Sequence, residues 1–164
     1  MINRRLIEFL ENNKLLTRLQ CGFRKNRSTI DHLIRLETYI KKAFTEKKVT
    51  VGVFFDLAKA YDTTWRYGIL KDLFTLGLRG LLPRYIQKFL QERRFKVSVN
   101  GELSEECVQE AGVSQGSILS VTLFAIKINS LAEIIPNHIH ASLFVDDVQI
   151  AFSGYSMHDV LEYL

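Results

Sequence analysis

The sequence predicts an α+β protein in which an antiparallel sheet carries helices on one face. Short apolar strands at 49–55, 139–145 and 148–152 alternate with segments whose apolar residues recur at helical spacing. Two connections are short enough for hairpins, Asn100-Gly101 and Asp146-Asp147. Hairpin-paired strands with helices between them are typical of α+β architecture.

The first half of the chain predicts two helices with a loop between them. Residues 2–13 place their apolar side chains on one helical face. A polar stretch follows at 17–27 and predicts a loop. Ser28 then stands where a helix cap belongs, with Asp31 three residues later, so a second helix should run to about Lys47.

The second half predicts further helices around one exposed strand. Helical spacing of apolar residues indicates short helices within 69–77 and 82–90. Residues 95–99 alternate apolar and polar side chains and predict a strand. The segment 118–135 is apolar on most of its circumference and predicts a long helix packed on several sides, and 157–164 predicts a last helix.

Composition excludes several classes of protein. A chain of 164 residues with 47% hydrophobic and 24% charged residues can form a globular core and is too apolar for intrinsic disorder. Its apolar runs are too short to span a membrane. Two cysteines cannot build a disulfide framework, which predicts a reducing compartment. The net charge of +4 permits a polyanionic partner, although basic clusters also occur on ordinary solvated surfaces.

Three carboxylates lie where apolar strands end. Asp56 follows one strand, and Asp146 and Asp147 separate two others. Because an isolated buried charge is costly, such groups must be solvated, paired or bound to a metal, and Mg²⁺ prefers oxygen ligands. Asp is also common in turns, so a structural hairpin remains an alternative. The residues alone leave open whether Asp56 meets the pair in space.

Four motifs occur in an order that resembles a known family. They are QCGFRKNRST at 20–29, FDLAKAYD at 55–62, AGVSQGSILS at 111–120 and FVDD at 144–147. Together they resemble the reverse transcriptases of non-LTR retrotransposons, in particular the arthropod jockey-like LINE elements. The similarity runs from about residue 2 to the end of the chain.

The resemblance implies part of a right-hand polymerase. Residues up to about 48 would belong to the fingers, and about 49–164 to the palm. The first fingers motifs and the thumb have no counterpart in the sequence, so one incomplete domain is expected.

The resemblance also implies a catalytic centre. Asp56, Asp146 and Asp147 match the family's catalytic carboxylates. They would hold two Mg²⁺ ions, with Mn²⁺ as an alternative, that activate the primer 3′-hydroxyl and neutralise the incoming triphosphate.

Further positions match the nucleotide pocket of the family. Tyr61 would lie beneath the nucleotide sugar and discriminate against a 2′-hydroxyl, although a packed core aromatic is the alternative. Leu57, Gln115 and Gly116 would also contact the nucleotide. The family usually has proline where this chain has Ser114 and Val121, which predicts a less rigid pocket loop.

Four positions match sites that face nucleic acid. Arg24, Lys25 and Arg27 match a basic fingers motif that would contact template or phosphate. Phe144 should lie near the primer end and, two residues before Asp146 in a strand, on the same side of it. Val145 is bulkier than the alanine that the family commonly has at this position.

The resemblance implies RNA-templated DNA synthesis, with an RNA template, a DNA primer and deoxynucleoside triphosphates as partners and no membrane. It also implies an intracellular setting, the nucleus or the cytoplasm, as for a retrotransposon protein. The isolated chain itself is expected to be inactive. The alternative is a catalytically silent remnant that at most binds nucleic acid or protein. Two other phosphoryl-transfer classes are excluded. The chain has no G-x-x-x-x-G-K-[ST] loop, and Ala58 replaces the second acid that a haloacid-dehalogenase-type phosphatase requires.

Overall fold

The computed structural model describes residues 1–91 and 93–163. Leu164, predicted to end the last helix, lies outside the described residues. In chain order the elements are α1 (Ile2–Asn12), α2 (Thr29–Thr45), β1 (Val49–Asp56), α3 (Ala60–Thr63), α4 (Arg66–Thr75), α5 (Leu81–Leu90), β2 (Arg94–Phe95), β3 (Ser98–Val99), β4 (Glu102–Leu103), β5 (Cys107–Val108), α6 (Ile118–Asn129), α7 (Leu131–Ile134), β6 (His140–Phe144), β7 (Asp147–Gly154) and α8 (Met157–Tyr163).

These elements form two compact units. The first unit comprises residues 1–15 and 59–127, and the second comprises 16–58 and 128–164. The second unit holds the main sheet with α2 and α8. The first holds α1, α3, α4, α5, the four short strands β2–β5 and most of α6. The assignment of residues 1–48 to the fingers and 49–164 to the palm stays a prediction.

The main sheet is antiparallel, as predicted, and its strand order is β1-β7-β6. Strand β7 pairs with β1 from Gly154 opposite Val49 to Asp147 opposite Asp56. The turn between β6 and β7 is Val145-Asp146, one residue earlier than the predicted Asp146-Asp147. Asp147 therefore belongs to the ladder, where it faces a partner on each side.

Helix α2 begins with the predicted cap. The Ser28 backbone N–H and hydroxyl both donate to the Asp31 carboxylate, at 2.7 and 2.9 Å. These bonds satisfy groups that a helix start would otherwise leave unpaired, and they lower the pKa of Asp31. The helix ends at Thr45, two residues before the predicted end.

Helices contact both faces of the sheet, whereas the sequence predicted one. On one face, Tyr39 of α2 stacks on His140. On the other, Tyr163 of α8 contacts Phe152, which alternates with Ala151 along β7. The central strand β7 carries buried residues of both parities, Val148 and Ala151 among them, so each of its faces needs a cover.

The predicted strand at 95–99 is two strands of two residues each. β2 pairs with β5, and β3 pairs with β4 across the predicted Asn100-Gly101 turn, in which both φ angles are positive. Between them, the Val97 N–H donates to the Ser104 hydroxyl at 2.9 Å rather than to a backbone carbonyl. This side-chain hydrogen bond interrupts the ladder, and the apolar–polar alternation of the sequence does not reveal it.

The predicted helix over 118–135 is also divided. α6 ends at Asn129, and the short α7 follows Ser130. Asn and Ser favour such an interruption because their side chains compete for backbone hydrogen bonds, and the Asn129 carboxamide accepts the Thr17 N–H at 2.6 Å. The predicted burial on several sides is confirmed for α6, whose buried residues are Leu119, Ser120, Thr122, Leu123, Phe124, Ile126 and Ile128.

Two further features concern the cysteines and the lengths of the helices. Cys21 is buried and Cys107 is exposed, and both are free thiols. Among residues 1–91 and 93–163, every helix is too short or too polar to cross a bilayer.

Candidate active site

The sheet brings Asp56 and Asp147 together although they are far apart in sequence. Asp56 ends β1 and is the cross-strand partner of Asp147, the first residue of β7. Directly opposed residues in an antiparallel pair have Cα atoms about 4.5–5.5 Å apart, and their side chains leave the same face. Both residues are exposed, so the two carboxylates share a solvent-accessible edge of the second unit.

Asp146 occupies the turn beside this pair and is half-buried. Among the described residues, none of the three carboxylates accepts a hydrogen bond or forms an ion pair. Carboxylate oxygens are the donors that Mg²⁺ prefers.

No group of three or more His, Cys, Asp or Glu in the described part of the chain is arranged as a complete metal-binding cluster. Mg²⁺ does not require one, because it commonly binds one or two carboxylates and completes its shell with water and substrate phosphates. The hard oxygen donors of Asp56 and Asp147 fit that chemistry. The catalytic roles of Asp56, Asp146 and Asp147 stay predictions.

Phe144 is the last residue of β6, so the relation to Asp146 that a continuous strand predicted does not apply. We expected it beside Asp146, but the strand stops at Phe144 and Asp146 belongs to the turn. Phe144 is instead the cross-strand partner of Asp147. Its ring meets the edge of His32 of α2, with centroids 6.4 Å apart.

His32 connects α2 to the sheet next to the carboxylates. Its Nδ1 is hydrogen bonded to the Ser142 hydroxyl. Burial lowers the pKa of His32, and the negative charge of Asp147 opposes that shift. Sequence reasoning missed this histidine, and no local pattern signals it, because its partner lies on β6, far along the chain.

The basic residues of the predicted fingers motif differ in their surroundings. The Arg24 guanidinium donates to the Thr17 carbonyl at 2.6 Å and to the Gln20 carbonyl at 3.4 Å, so it braces its own loop. Lys25 is exposed and Arg27 is half-buried. Contacts of these three residues with phosphate stay predictions.

Leu57 follows Asp56 but contributes to a different surface. It lines an apolar cavity of about 430 Å³ with Phe55, Val148 and Ile150. Phe55 and Val148 alternate with Asp56 and Asp147, so this cavity lies on the opposite face of the sheet from the carboxylates. A nucleotide contact by Leu57 stays a prediction.

The remaining predicted pocket residues lie in the first unit. Tyr61 of α3 stacks on Phe124, with ring centroids 5.1 Å apart. The Gln115 side-chain amide donates to the Asp62 carboxylate at 3.1 Å. Gly116 has φ +83, a conformation that glycine adopts without strain. The hydrogen bond between Gln115 and Asp62 joins the end of the second motif to the third motif within this unit.

Arg66 fixes the segment before Gln115, and sequence reasoning missed it. Its guanidinium donates to three backbone carbonyls, those of Gln109, Ala111 and Gly112, at 2.6–2.9 Å. A Cβ on Gly112 would overlap the Asp62 carbonyl, so only glycine allows this approach. The segment before the predicted nucleotide loop is therefore held rigidly.

A family model described as reverse transcriptase (RNA-dependent DNA polymerase) matches residues 1–162. The chain belongs to the reverse transcriptase family. This membership confirms the resemblance carried by the four motifs. Reverse transcriptases as a family generally depend on divalent metal ions.

Two curated members of the family are similar to the chain. A probable RNA-directed DNA polymerase from transposon BS of Drosophila melanogaster is 32% identical over 94% of this chain and 18% of that protein. The RNA-directed DNA polymerase from mobile element jockey of the same fly is 32% identical over 95% of this chain and 16% of that protein. The chain thus spans less than a fifth of the length of these relatives.

The fold is that of a right-hand polymerase. The structure is similar to that of telomerase from Candida albicans in complex with a fragment of telomeric RNA. The TM-score is 0.63 over 98% of this chain and 31% of that chain, with 11% sequence identity. A likeness at this identity supports the fold alone, and it agrees with the fold that the motifs implied.

Proposed function

We propose that this chain supplies the catalytic carboxylates of an RNA-directed DNA polymerase that copies RNA during retrotransposition. Its substrates are an RNA template, a DNA primer and deoxynucleoside triphosphates. The observation that carries the proposal is the register of the sheet, which sets Asp56 directly opposite Asp147 beside the Asp146 turn.

In this proposal Asp56, Asp146 and Asp147 hold two Mg²⁺ ions through their carboxylate oxygens. The bound metal supplies Lewis-acid activation of the primer 3′-hydroxyl and neutralises charge on the triphosphate. The protein's part is to hold the carboxylates at the surface, where a triphosphate can reach them. The exposure of Asp56 and Asp147 supports this role.

Tyr61, Gln115, Gly116 and Leu57 bind the nucleotide in this proposal. Tyr61 selects the deoxyribose by excluding a 2′-hydroxyl, and its stacking on Phe124 supports a fixed ring position. The backbone of Gly116 allows close approach because no Cβ is present. The Gln115–Asp62 hydrogen bond supports a shared position for the second and third motifs.

Lys25, Arg27 and Phe144 contact nucleic acid, with Arg24 as the brace of the basic loop. An exposed lysine such as Lys25 binds phosphate without reading sequence. Phe144 is half-buried beside Asp147 and supports the primer end next to the carboxylates.

Primer extension on an RNA template in Mg²⁺ tests the proposal, with the protein that carries this chain. Asp147→Asn should reduce extension by roughly 10²-fold or more, because metal-assisted charge stabilisation contributes several kcal/mol to such a step. Glu162→Gln is the matched control, since it removes an exposed carboxylate from α8 of the same unit. Equal activity of D147N and the unmodified protein would refute the proposal.

Primer extension, together with a measurement of binding to an RNA–DNA hybrid, distinguishes a polymerase from the catalytically silent remnant. A protein that binds an RNA–DNA hybrid in a salt-dependent manner but extends no primer would be a binding remnant. Failure of both extension and binding would reject both functions.

A further inference from the structure

The turn that carries Asp146 is held by one buried side chain from another part of the chain. Gln20 is 1% exposed, and its amide contacts the turn residue Val145 twice. Its Oε1 accepts the Val145 N–H at 3.0 Å, and its Nε2 donates to the Val145 carbonyl at 3.4 Å. The amide thus binds both backbone polar groups of a single residue.

Val145 needs such support because its backbone is unusual. It has φ +60, in the left-handed region, which a β-branched residue rarely adopts. A conformation of this kind persists only where the surroundings over-determine it. The Val145 carbonyl also belongs to the peptide that continues into Asp146, so its orientation sets the direction in which Asp146 leaves the turn.

The position of Gln20 is itself fixed by main-chain bonds. The Cys21 N–H donates to the Leu143 carbonyl at 2.8 Å, and the Leu143 N–H donates to the Leu19 carbonyl at 3.0 Å. These bonds pair residues 19–21 with the outer edge of β6, which would otherwise be free. The side chain therefore reaches the turn from a rigid support.

Gly22 completes the contact. Its N–H donates to the same Gln20 Oε1 at 2.8 Å. A Cβ at this position would overlap the Val145 side chain and come 2.8 Å from the Val145 nitrogen. Only glycine lets the segment approach the turn closely enough for the Gln20 amide to bind it.

We propose that Gln20 is a positioning residue of the candidate active site, which acts by holding Val145 in its left-handed conformation and so aims Asp146 and Asp147. The part that concerns catalysis rests on the proposed function. The part that concerns the turn does not, because it follows from the hydrogen bonds alone. Both amide atoms are needed, since one accepts from and the other donates to the same residue.

Hydrogen exchange of the Val145 amide tests the turn directly, in the 164-residue chain. Gln20→Leu should speed this exchange roughly ten-fold or more, because the N–H loses its acceptor. Gln149→Leu is the matched control. It is a buried glutamine of the same unit, and its amide has no hydrogen-bond partner among the described residues. Unchanged exchange in Q20L, or equal acceleration in Q149L, would overturn the proposal.

Mn²⁺ binding, followed by electron paramagnetic resonance with Mn²⁺ alone, tests the effect on the carboxylates. Q20L should weaken Mn²⁺ binding several-fold, and adding Val145→Gly should restore most of it, because glycine adopts positive φ unaided. If Gln20 only stabilised the fold, adding V145G to Q20L would weaken Mn²⁺ binding further, because it removes a second buried side chain. A double variant that binds Mn²⁺ no better than Q20L would overturn the aiming role.

Failure of the proposed function and failure of the role proposed for Gln20 give different results. If the unmodified chain does not bind Mn²⁺, the proposed metal chemistry fails, and the exchange rate of the Val145 amide still decides whether Gln20 holds the turn. If the unmodified chain binds Mn²⁺ and Q20L binds it equally well, the proposed function stands and the role of Gln20 is rejected.

Discussion

Two carboxylates of like charge lie opposite each other at an exposed edge of the second unit. Asp56 and Asp147 face each other across two strands without a cation from the described residues. Like charges directly opposed in a sheet destabilise it. The sequence predicted that each acid ends a strand, but the pairing between them depends on a register that no local pattern specifies.

Asp56→Asn should therefore stabilise the chain. We expect the free energy of unfolding to rise by roughly 0.5 kcal/mol, because one of two opposed like charges is removed. Mg²⁺ should stabilise the unmodified chain and have little effect on D56N, since a ligand that binds the native state shifts the unfolding equilibrium. Urea denaturation with and without Mg²⁺ measures both effects. A D56N variant that is less stable than the unmodified chain would contradict the prediction.

Gln149 provides a second residue-scale prediction. Its side chain is 1% exposed, and neither polar atom of its amide has a partner in the described part of the chain. Gln149→Leu should raise the free energy of unfolding by about 1 kcal/mol, because a buried polar group without hydrogen bonds carries a desolvation penalty. Thermal denaturation measures the change. A loss of stability would mean that the amide is hydrogen bonded in solution.

At the scale of elements, apolar periodicity located the strands of the main sheet and most of the helices, but it did not predict the four-residue α3. It was wrong about the continuity of 95–99 and of 118–135. Ser104 in the first case, and Asn129 and Ser130 in the second, interrupt the element through side-chain hydrogen bonds or weak helix propensity. Such interruptions depend on the hydrogen bonds of single polar side chains. Apolar periodicity is a property of many residues together and does not reveal them.

The interface between α2 and β6 should make stability depend on pH. Burial lowers the pKa of both His32 and His140, and Arg35 adds to the lowering. The unfolded chain then binds protons more readily than the native chain near the ordinary pKa of histidine, about 6.5. Stability is therefore present above that pH and is lost as the pH falls below it.

His140→Phe tests this dependence, because it keeps an aromatic ring against Tyr39 and removes one titrating group. Free energies of unfolding measured between about pH 7.5 and pH 5 should fall less steeply for H140F than for the unmodified chain. Identical slopes would show that His140 does not contribute to the pH dependence.

At the scale of the whole molecule, two compact units are each assembled from separated stretches of sequence. Residue patterns predicted the elements and the fold class but not this division, because each unit joins positions that are far apart in the chain. The family motifs predicted more than periodicity did. They implied a right-hand polymerase fold, which structural similarity confirms.

The net charge of +4 leads to a prediction for the whole chain. Binding to an RNA–DNA hybrid should weaken as salt rises, because bound phosphates release counterions. Lys25→Gln should lower the slope of log K against log salt by about one. Lys88→Gln, at an exposed position of α5, is the control and should leave the slope unchanged. Equal slopes for K25Q, K88Q and the unmodified protein would show that Lys25 does not contact the nucleic acid.

The ribbons formed by β2–β5 have a practical consequence for handling the protein. Phe95, Val97, Val99, Leu103 and Val108 are each about half exposed or more, on or beside strands of two residues. An unpaired strand edge with apolar side chains can pair with a strand of a neighbouring molecule. Concentrated samples should therefore self-associate through this region, and Val99→Lys should delay the onset of light scattering.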